Sequence, residues 1–336
     1  MLSYTRQLHQ TQGIVAAKFY PGLNGTKGLL ILMVVFTHCL PPSMMLYFLY
    51  FCHMPLFMAI SGFLLKESAF QSGYKAYIIR MWHRLLMPWL IASLIFIPFR
   101  LTGGGPDAQM RFTDIIYPYY HLWYIPSYLI GATICYVMVK KKISVWTVLL
   151  AFALITTAWY NIYRDTPTPV TQLPLYYMGD KRLFAYLFFF ILAFGLRNGL
   201  VQVRITPFAL LVMKVIALVS LAFLVLKNFS SLYVVWPYLI FNTCLVLFIL
   251  VYVAPQKVLQ NKLFMLANEQ SLGIYLYHPL ILTIIYIVLN DRIHRHINNL
   301  EALGIFAVAI SGTLGLILML KRWSVTDKYM LGNIKR

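Results

Sequence analysis

The sequence predicts an all-α fold, a polytopic membrane helix bundle of about ten transmembrane helices with both termini in the cytoplasm. Of its 336 residues, 61% are hydrophobic and only 11% are charged, whereas a soluble domain has roughly 25% charged residues. Apolar stretches of nearly 20 residues recur along the chain, and a helix of that length crosses a hydrocarbon core about 30 Å thick. No connector exceeds about 22 residues. Residues 1–336 are therefore predicted to form a single membrane domain with no separate soluble domain.

The ten predicted spans follow one another between short polar connectors. They lie near residues 28–46, 46–65, 85–101, 121–139, 143–160, 183–196, 207–226, 232–253, 271–289 and 300–320. The spans between residues 143 and 253 are generic hydrophobic helices, and no repeat of fixed period divides the chain. Nothing within residues 143–253 indicates a function.

The basic residues set the orientation of the bundle. With the N-terminus in the cytoplasm, 19 of the 28 Lys and Arg residues lie inside and 8 lie outside, while Lys214 falls within a span. Cytoplasmic loops carry the excess of Lys and Arg, so this alternation predicts cytoplasmic termini. The net charge of +19 is spread over these connectors instead of one soluble face, and we expect no nucleic-acid partner.

The stretch KGLLILMVVFTHC at residues 27–39 places Lys27 and His38 eleven positions apart in the first span. On a helix the two side chains lie on nearly the same face, about 16 Å apart along the axis. Pro41 and Pro42 interrupt the helix soon afterwards, so His38 lies within the depth of the bilayer. An ionisable residue there is a functional candidate; the alternative is a neutral His bonded to a neighbouring helix.

The second span carries His53 about seven residues from its outer end, at the depth predicted for His38. A His can take a proton from a hydroxyl group and return it, as acyl transfer to a sugar requires. His38 and His53 are therefore the predicted catalytic residues. The four cysteines lie singly within apolar spans, so we expect neither a metal site nor disulfides.

The string LNGTKGLLILMVVFTHCL followed by FCHMPLFMAISGFLLK resembles the opening of the acyltransferase-3 family of integral-membrane acyltransferases, in particular its branch similar to fucose 4-O-acetylases. In that family a basic residue, usually Arg, precedes a catalytic His with ten residues between them. Here Lys27 stands in the position of the Arg and His38 matches the His. The Lys is a departure, because it replaces a bidentate guanidinium with a point charge.

Three later segments fit the same resemblance: the basic connector R80MWHR84, HLWYIPSYL at residues 121–129 and SLGIYLYHPLI at residues 271–281. The resemblance implies that Arg80 and Arg84 help to bind the acyl donor, although ordinary positive-inside charge is an equal alternative. His121, Trp123 and His278 are possible substrate-binding residues. An interface anchor is the alternative for Trp123, and a helix-packing hydrogen bond is the alternative for His278.

The resemblance implies an O-acetyltransferase of the bacterial cytoplasmic membrane that uses acetyl-CoA as co-substrate and binds no cofactor. The phosphates of acetyl-CoA would lie near Lys27, Arg80 and Arg84, and the acceptor would be a surface polysaccharide or lipid-linked sugar. His38 would act as general base in a direct transfer, because the sequence contains no GxSxG nucleophile elbow. The outward connectors 102–120 and 161–182 are expected to select the glycan.

A flippase, a transporter of a lipid-linked glycan or a glycan polymerase is the alternative function, since ten spans also permit it. Such a protein could use intramembrane histidines as a proton path. Intramembrane carboxylates are scarce, and neither an inverted repeat nor a long external loop is evident. These features favour the acyltransferase.

Overall fold

Helices account for all regular secondary structure in the part of the chain that the structure describes. This computed structural model describes residues 20–102, 122–162, 183–203, 206–227, 235–289 and 298–333. The α-helices are α1 (Pro21–Thr37), α2 (Met44–Leu64), α3 (Gly73–Met81), α4 (Met87–Thr102), α5 (Tyr124–Lys140), α6 (Val145–Ile162), α7 (Leu183–Arg197), α8 (Pro207–Leu226), α9 (Val235–Leu247), α10 (Lys262–Glu269), α11 (Ser271–Val288), α12 (Asn299–Leu320) and α13 (Ser324–Leu331). A short 3₁₀ helix spans Glu67–Phe70, and π-helical turns span Trp82–Leu86 and Phe248–Val253.

The described helices confirm a multi-pass membrane protein. Six of them are long and apolar enough to cross a bilayer, and they span Met44–Leu64, Gly73–Pro98, Pro207–Leu226, Val235–Val253, Ser271–Val288 and Asn299–Leu320. Four further apolar helices, α1, α5, α6 and α7, are shorter. The predicted total of about ten spans and the cytoplasmic location of both termini remain predictions.

The first helix starts earlier than its hydropathy suggests. It begins at Pro21 and ends at Thr37, whereas the sequence predicts a span near 28–46. Proline is well suited to the first helical position because its missing N–H is not needed there and its φ angle is already helical. Lys27 therefore lies in the second turn of α1, and His38 caps the C-terminus of that helix.

Glycines allow α1 and α2 to pack against their neighbours at backbone contact. A Cβ atom built on Gly28 would lie 1.9 Å from the carbonyl oxygen of Phe264 in α10. One built on Gly62 in α2 would lie 2.0 Å from the carbonyl oxygen of Phe190 in α7. Small residues at helix interfaces permit such close approach in membranes, so both helices are held near the centre of the bundle.

Three helices at this centre, α1, α2 and α11, run through the candidate site. A six-residue connection at residues 38–43 joins α1 to α2, and the two helices pack side by side in opposite directions. The end of α1 meets the middle of α11 through the rings of His38 and His278. The start of α1 and the start of α11 face a common cavity, so α1 and α11 run in the same direction.

Candidate active site

Three histidines from α1, α2 and α11 form a histidine cluster, defined as His38, His53 and His278. The rings of His38 and His278 stack with centroids 5.4 Å apart and planes inclined by 21°. Tyr50 lies between His38 and His53, with its ring 6.1 Å from that of His38 and 5.3 Å from that of His53. His53 and His278 are buried, with 1% and 0% exposure, whereas His38 is partly exposed.

Hydrogen bonds fix the orientation of these rings. Nδ1 of His53 lies 2.5 Å from the Leu49 carbonyl oxygen, and Nδ1 of His278 lies 2.7 Å from the Ile274 carbonyl oxygen. A carbonyl only accepts hydrogen bonds, so in both neutral rings Nδ1 carries the hydrogen and Nε2 holds the basic lone pair. Both rings are therefore held in the tautomer whose Nε2 can accept a proton.

Two tyrosines hold His38 in place. The Tyr50 hydroxyl lies 3.1 Å from Nδ1 of His38, and the Tyr286 hydroxyl donates to the His38 carbonyl at 3.0 Å. The second bond joins residues that are 248 positions apart in sequence. His38 is therefore held by its side chain through Tyr50 and by its backbone through Tyr286.

The opposite ends of the same helices border a basic cavity of about 560 Å³, within the usual size range of small-molecule sites. Its described lining residues are Lys27, Ser61, Leu64, Leu65, Lys66, Ser68, Ala69, Tyr77, Arg80, Met81, Arg84, Leu85, Tyr124, Tyr128 and Leu272. Four of these residues are cationic and none is acidic. Together with three tyrosine hydroxyls, such a lining is suited to an anion.

The cations of the basic cavity come from separate elements. Lys27 is partly buried in α1, while Arg80 and Arg84 are exposed near the end of α3 and in the π-helical turn that follows it. The Arg80 guanidinium donates to the Ala69 carbonyl. Gly332, which follows α13 with φ of +70°, packs so closely that a Cβ there would lie 2.3 Å from the Arg84 carbonyl oxygen. The C-terminal helix thus supports the turn that carries Arg84.

Each of the three central helices carries one member of the histidine cluster and at least one residue of the basic cavity. The pairs are Lys27 with His38 on α1, Ser61 with His53 on α2, and Leu272 with His278 on α11. At 1.5 Å per residue, these pairs are separated by about 16, 12 and 9 Å along their helices. The cavity and the histidines are therefore two levels of one site.

An aromatic layer, defined as Phe57, Tyr124 and Tyr275, lies between the two levels. The ring of Tyr124 meets those of Phe57 and Tyr275 at centroid distances of 5.0 and 5.5 Å. The Tyr124 hydroxyl bonds the Ser61 hydroxyl at 2.5 Å, and both residues line the cavity. The aromatic layer therefore connects the cavity lining to the helix segments next to the histidines.

The structure brings together six of the eight residues predicted for the site. His38, His53 and His278 form the histidine cluster, and Lys27, Arg80 and Arg84 line the basic cavity. Trp123 is buried and stacks on Tyr186 at 5.3 Å, and it is not among the described residues that line the cavity. His121 lies outside the described residues, as does most of both connectors predicted to select the glycan.

Several residues of this site were missed by sequence reasoning. Tyr50 and Tyr286 contact His38, and Tyr124 links the cavity to the aromatic layer. The chain has 24 tyrosines, so residue type alone does not distinguish these three. Tyr50 had one usable signal, because it precedes His53 by three positions and therefore shares its helix face.

The next question is whether the described residues could also hold a metal ion or form a disulfide. They include no group of three or more His, Cys, Asp or Glu side chains able to hold a metal ion. The four cysteines are free thiols, three of them buried and Cys244 partly buried. Proton exchange at the histidines and anion binding in the cavity are what the arrangement offers.

Comparison with known proteins identifies one family. Residues 20–321 match the acyltransferase-3 model, which is described as an acyltransferase domain. The match covers the basic cavity, the histidine cluster and the helices that connect them. No curated protein and no solved structure matches the chain.

Proposed function

The chain belongs to the acyltransferase-3 family of membrane acyltransferases, and from this premise we propose that it moves an acetyl group from cytoplasmic acetyl-CoA to a hydroxyl group of an exported or cell-surface glycan. The observation that carries the proposal is the pairing of a basic cavity with a histidine cluster on α1, α2 and α11. An anionic donor with a long arm and a transferable acyl group fits both levels at once.

The charge and shape of the basic cavity support acetyl-CoA as donor. Its phosphates would contact Lys27, Arg80 and Arg84, which line the cavity without a nearby acidic lining residue. Its pantetheine arm is comparable in length to the distance of about 16 Å along α1 from Lys27 to His38. Acetyl-CoA acts as a co-substrate in this proposal, and no bound cofactor is involved.

The acceptor hydroxyl is deprotonated by Nε2 of His38. As the O–H proton moves to the imidazole, the oxygen attacks the thioester carbonyl carbon, and a tetrahedral intermediate forms. Collapse of the intermediate breaks the C–S bond, and the departing thiolate takes the proton from the imidazolium. Tyr50 holds Nδ1, so the ring keeps one orientation through both proton transfers. The products are the O-acetylated sugar and free CoA.

The stacked and neighbouring histidines have supporting roles in this proposal. His278 limits the rotation of His38 through ring stacking at 5.4 Å. His53 lies on the other side of Tyr50, and in this proposal its Nε2 bonds the acceptor hydroxyl. Both rings therefore help to place the acceptor beside His38.

The predicted orientation of the helices indicates which end of the site faces the cytoplasm. The cavity end of the site carries the basic connector and would face the cytoplasm, where acetyl-CoA is made. The histidine end would then open toward the side from which a glycan is presented. In this proposal the protein lies in the cytoplasmic membrane of a bacterium, as the resemblance to the branch similar to fucose 4-O-acetylases implies.

Transfer of labelled acetyl groups tests the proposed function directly. Membranes that contain the wild-type protein should move radiolabel from acetyl-CoA to the glycan, and NMR of the glycan should locate the new ester. Membranes with an equal amount of His38→Ala should not. Translocation of the glycan without any new ester would show a flippase and overturn the proposal.

A further inference from the structure

One wall of the basic cavity is a short connector rather than a helix. Residues 65–70 join α2 to the segment before α3 and contain a single turn of 3₁₀ helix. Four of these residues line the cavity: Leu65, Lys66, Ser68 and Ala69. Because so short a 3₁₀ turn has little stability of its own, the position of this wall depends on what holds it from outside.

Asn198, which follows α7, holds the start of the connector with both atoms of its amide. Its Nδ2 donates to the Leu65 carbonyl at 3.2 Å, and its Oδ1 accepts from the Glu67 backbone N–H at 2.8 Å. A further bond from Nδ2 to the Phe194 carbonyl, at 2.9 Å, ties the side chain to its own helix. The amide therefore bridges the rigid end of α7 and the cavity wall.

The end of α7 is itself anchored, so it can serve as a fixed reference for the connector. The Arg197 guanidinium lies over the rings of Tyr20 and Phe63, at 4.8 and 5.4 Å from their centroids. Cation–π contacts of this kind favour one position of the guanidinium. Next to Phe63 in α2, Gly62 packs on the α7 backbone. Asn198 is thus placed by a packed interface and not by the connector that it bonds.

The other end of the connector is tied to the donor-binding cations. Arg80 donates to the Ala69 carbonyl while lining the same cavity. A guanidinium has five N–H donors, so Arg80 can keep this bond and still contact a phosphate. The connector is therefore fixed between Asn198 on one side and Arg80 on the other.

We propose that Asn198 is a positioning residue for the acyl donor, which holds the 65–70 wall of the basic cavity in the form that accepts the donor. The inference rests on the proposed function for the identity of the ligand, because acetyl-CoA is the probe. Without Asn198 the connector must be ordered each time a donor binds. The loss of two hydrogen bonds to the wall is expected to weaken donor binding about tenfold.

The experiment compares Asn198→Ala with the wild type in purified, detergent-solubilised protein. The variant should raise both the Kd and the KM for acetyl-CoA about tenfold and leave kcat within about twofold, because Asn198 does not touch the histidine cluster. Trypsin should also cut after Lys66, which is exposed in the connector, several times faster than in the wild type. Cleavage after Lys75, which is exposed on α3, serves as the internal reference.

Asn242→Ala is the matched control. Asn242 also donates to the carbonyl four residues earlier, that of Tyr238 at 3.0 Å, but it lies in α9 and has no bond to the connector among the described contacts. It should change neither the KM nor the cleavage after Lys66. An Asn198→Ala variant with a wild-type Kd, or with wild-type cleavage after Lys66, would overturn the inference. Failure of the wild type to bind acetyl-CoA would instead overturn the proposed function.

Discussion

The two levels of the site are built in different ways, although the same three helices carry both. The basic cavity is wide, is lined by side chains from helices and a connector, and has exposed arginines at its edge. The histidine cluster is closely packed, with rings in stacking contact and two of its three members fully or almost fully buried. One level is suited to hold a large charged molecule, and the other to hold a few atoms in a fixed geometry.

In the proposed function, this difference separates donor binding from the transfer step along the three central helices. Variants at the cavity should change the KM for the donor and leave kcat unchanged, because their contacts are the same in the ground state and the transition state. Variants at the histidines should lower kcat, since the proposed proton transfer takes place there. The four predictions that follow use this contrast.

The largest effect is expected at the histidine cluster. His38→Ala removes the general base and should lower kcat about 10²- to 10⁴-fold, with little change in the KM for acetyl-CoA. Turnover of labelled acetyl-CoA, normalised to inserted protein, measures both constants. His83→Ala, which changes an exposed His in the π-helical turn, should behave as the wild type. A near-normal kcat for His38→Ala would remove this residue from the mechanism.

A smaller effect is expected at the cavity, and it should change the KM for acetyl-CoA instead of kcat. Lys27→Ala removes the ammonium group that is proposed to bond a phosphate of acetyl-CoA. It should raise the KM about 10- to 100-fold without changing kcat. Lys27→Arg should be tolerated, because it keeps the charge and adds a bidentate contact. Lys75→Ala, on an exposed position outside the cavity lining, is the control. If Lys27→Ala lowers only the amount of inserted protein, Lys27 serves topology and not donor binding.

A finer test concerns the support of His38. Tyr50→Phe keeps the ring but loses the hydroxyl that bonds Nδ1 of His38. Loss of one such bond should lower kcat about fivefold and leave the KM unchanged. Tyr47→Phe changes an exposed tyrosine one turn earlier in α2 and should have no effect. An increase in KM for Tyr50→Phe would place the donor, and not only the base, beside this residue.

The contrast also requires that the two levels face different compartments. Pro42 is exposed in the connection that follows His38, and Lys75 is exposed on α3, five residues before Arg80; each is changed to Cys. A membrane-impermeant maleimide should label position 42 in intact cells and position 75 only after permeabilisation, with the wild type as baseline for the native thiols. Labelling on the reverse sides would separate the cavity from cytoplasmic acetyl-CoA.

The sequence was sufficient for the helical architecture because bilayer thickness sets the length of an apolar helix. The seventh predicted span, 207–226, coincides with α8. The start of α1 was wrong by seven residues, because the polar first two turns PGLNGTK carry no hydropathy signal. Their helical form depends on Pro21 and on Gly22 and Gly25, which pack against the backbone of the distant segment 253–259.

The candidate site also has a part that could be predicted from the sequence and a part that could not. His38, His53 and Lys27 could be predicted because an ionisable side chain is rare in an apolar span. The contacts of Tyr286 with His38 and of Asn198 with Glu67 could not, since they join residues 248 and 131 positions apart. Only the packing of complete helices brings such pairs together, and neither residue type is unusual in its own local sequence.

The stacking of His38 on His278 has a consequence for how the protein is made. The two residues are 240 positions apart (278 minus 38), and at ribosomal rates of about 5 to 20 residues per second the second follows the first by roughly 12 to 48 seconds. During that interval α1 is already synthesised, while its partners α10 and α11 do not yet exist. Until the last quarter of the chain arrives, α2 or the insertion machinery must shield the His38 end of α1.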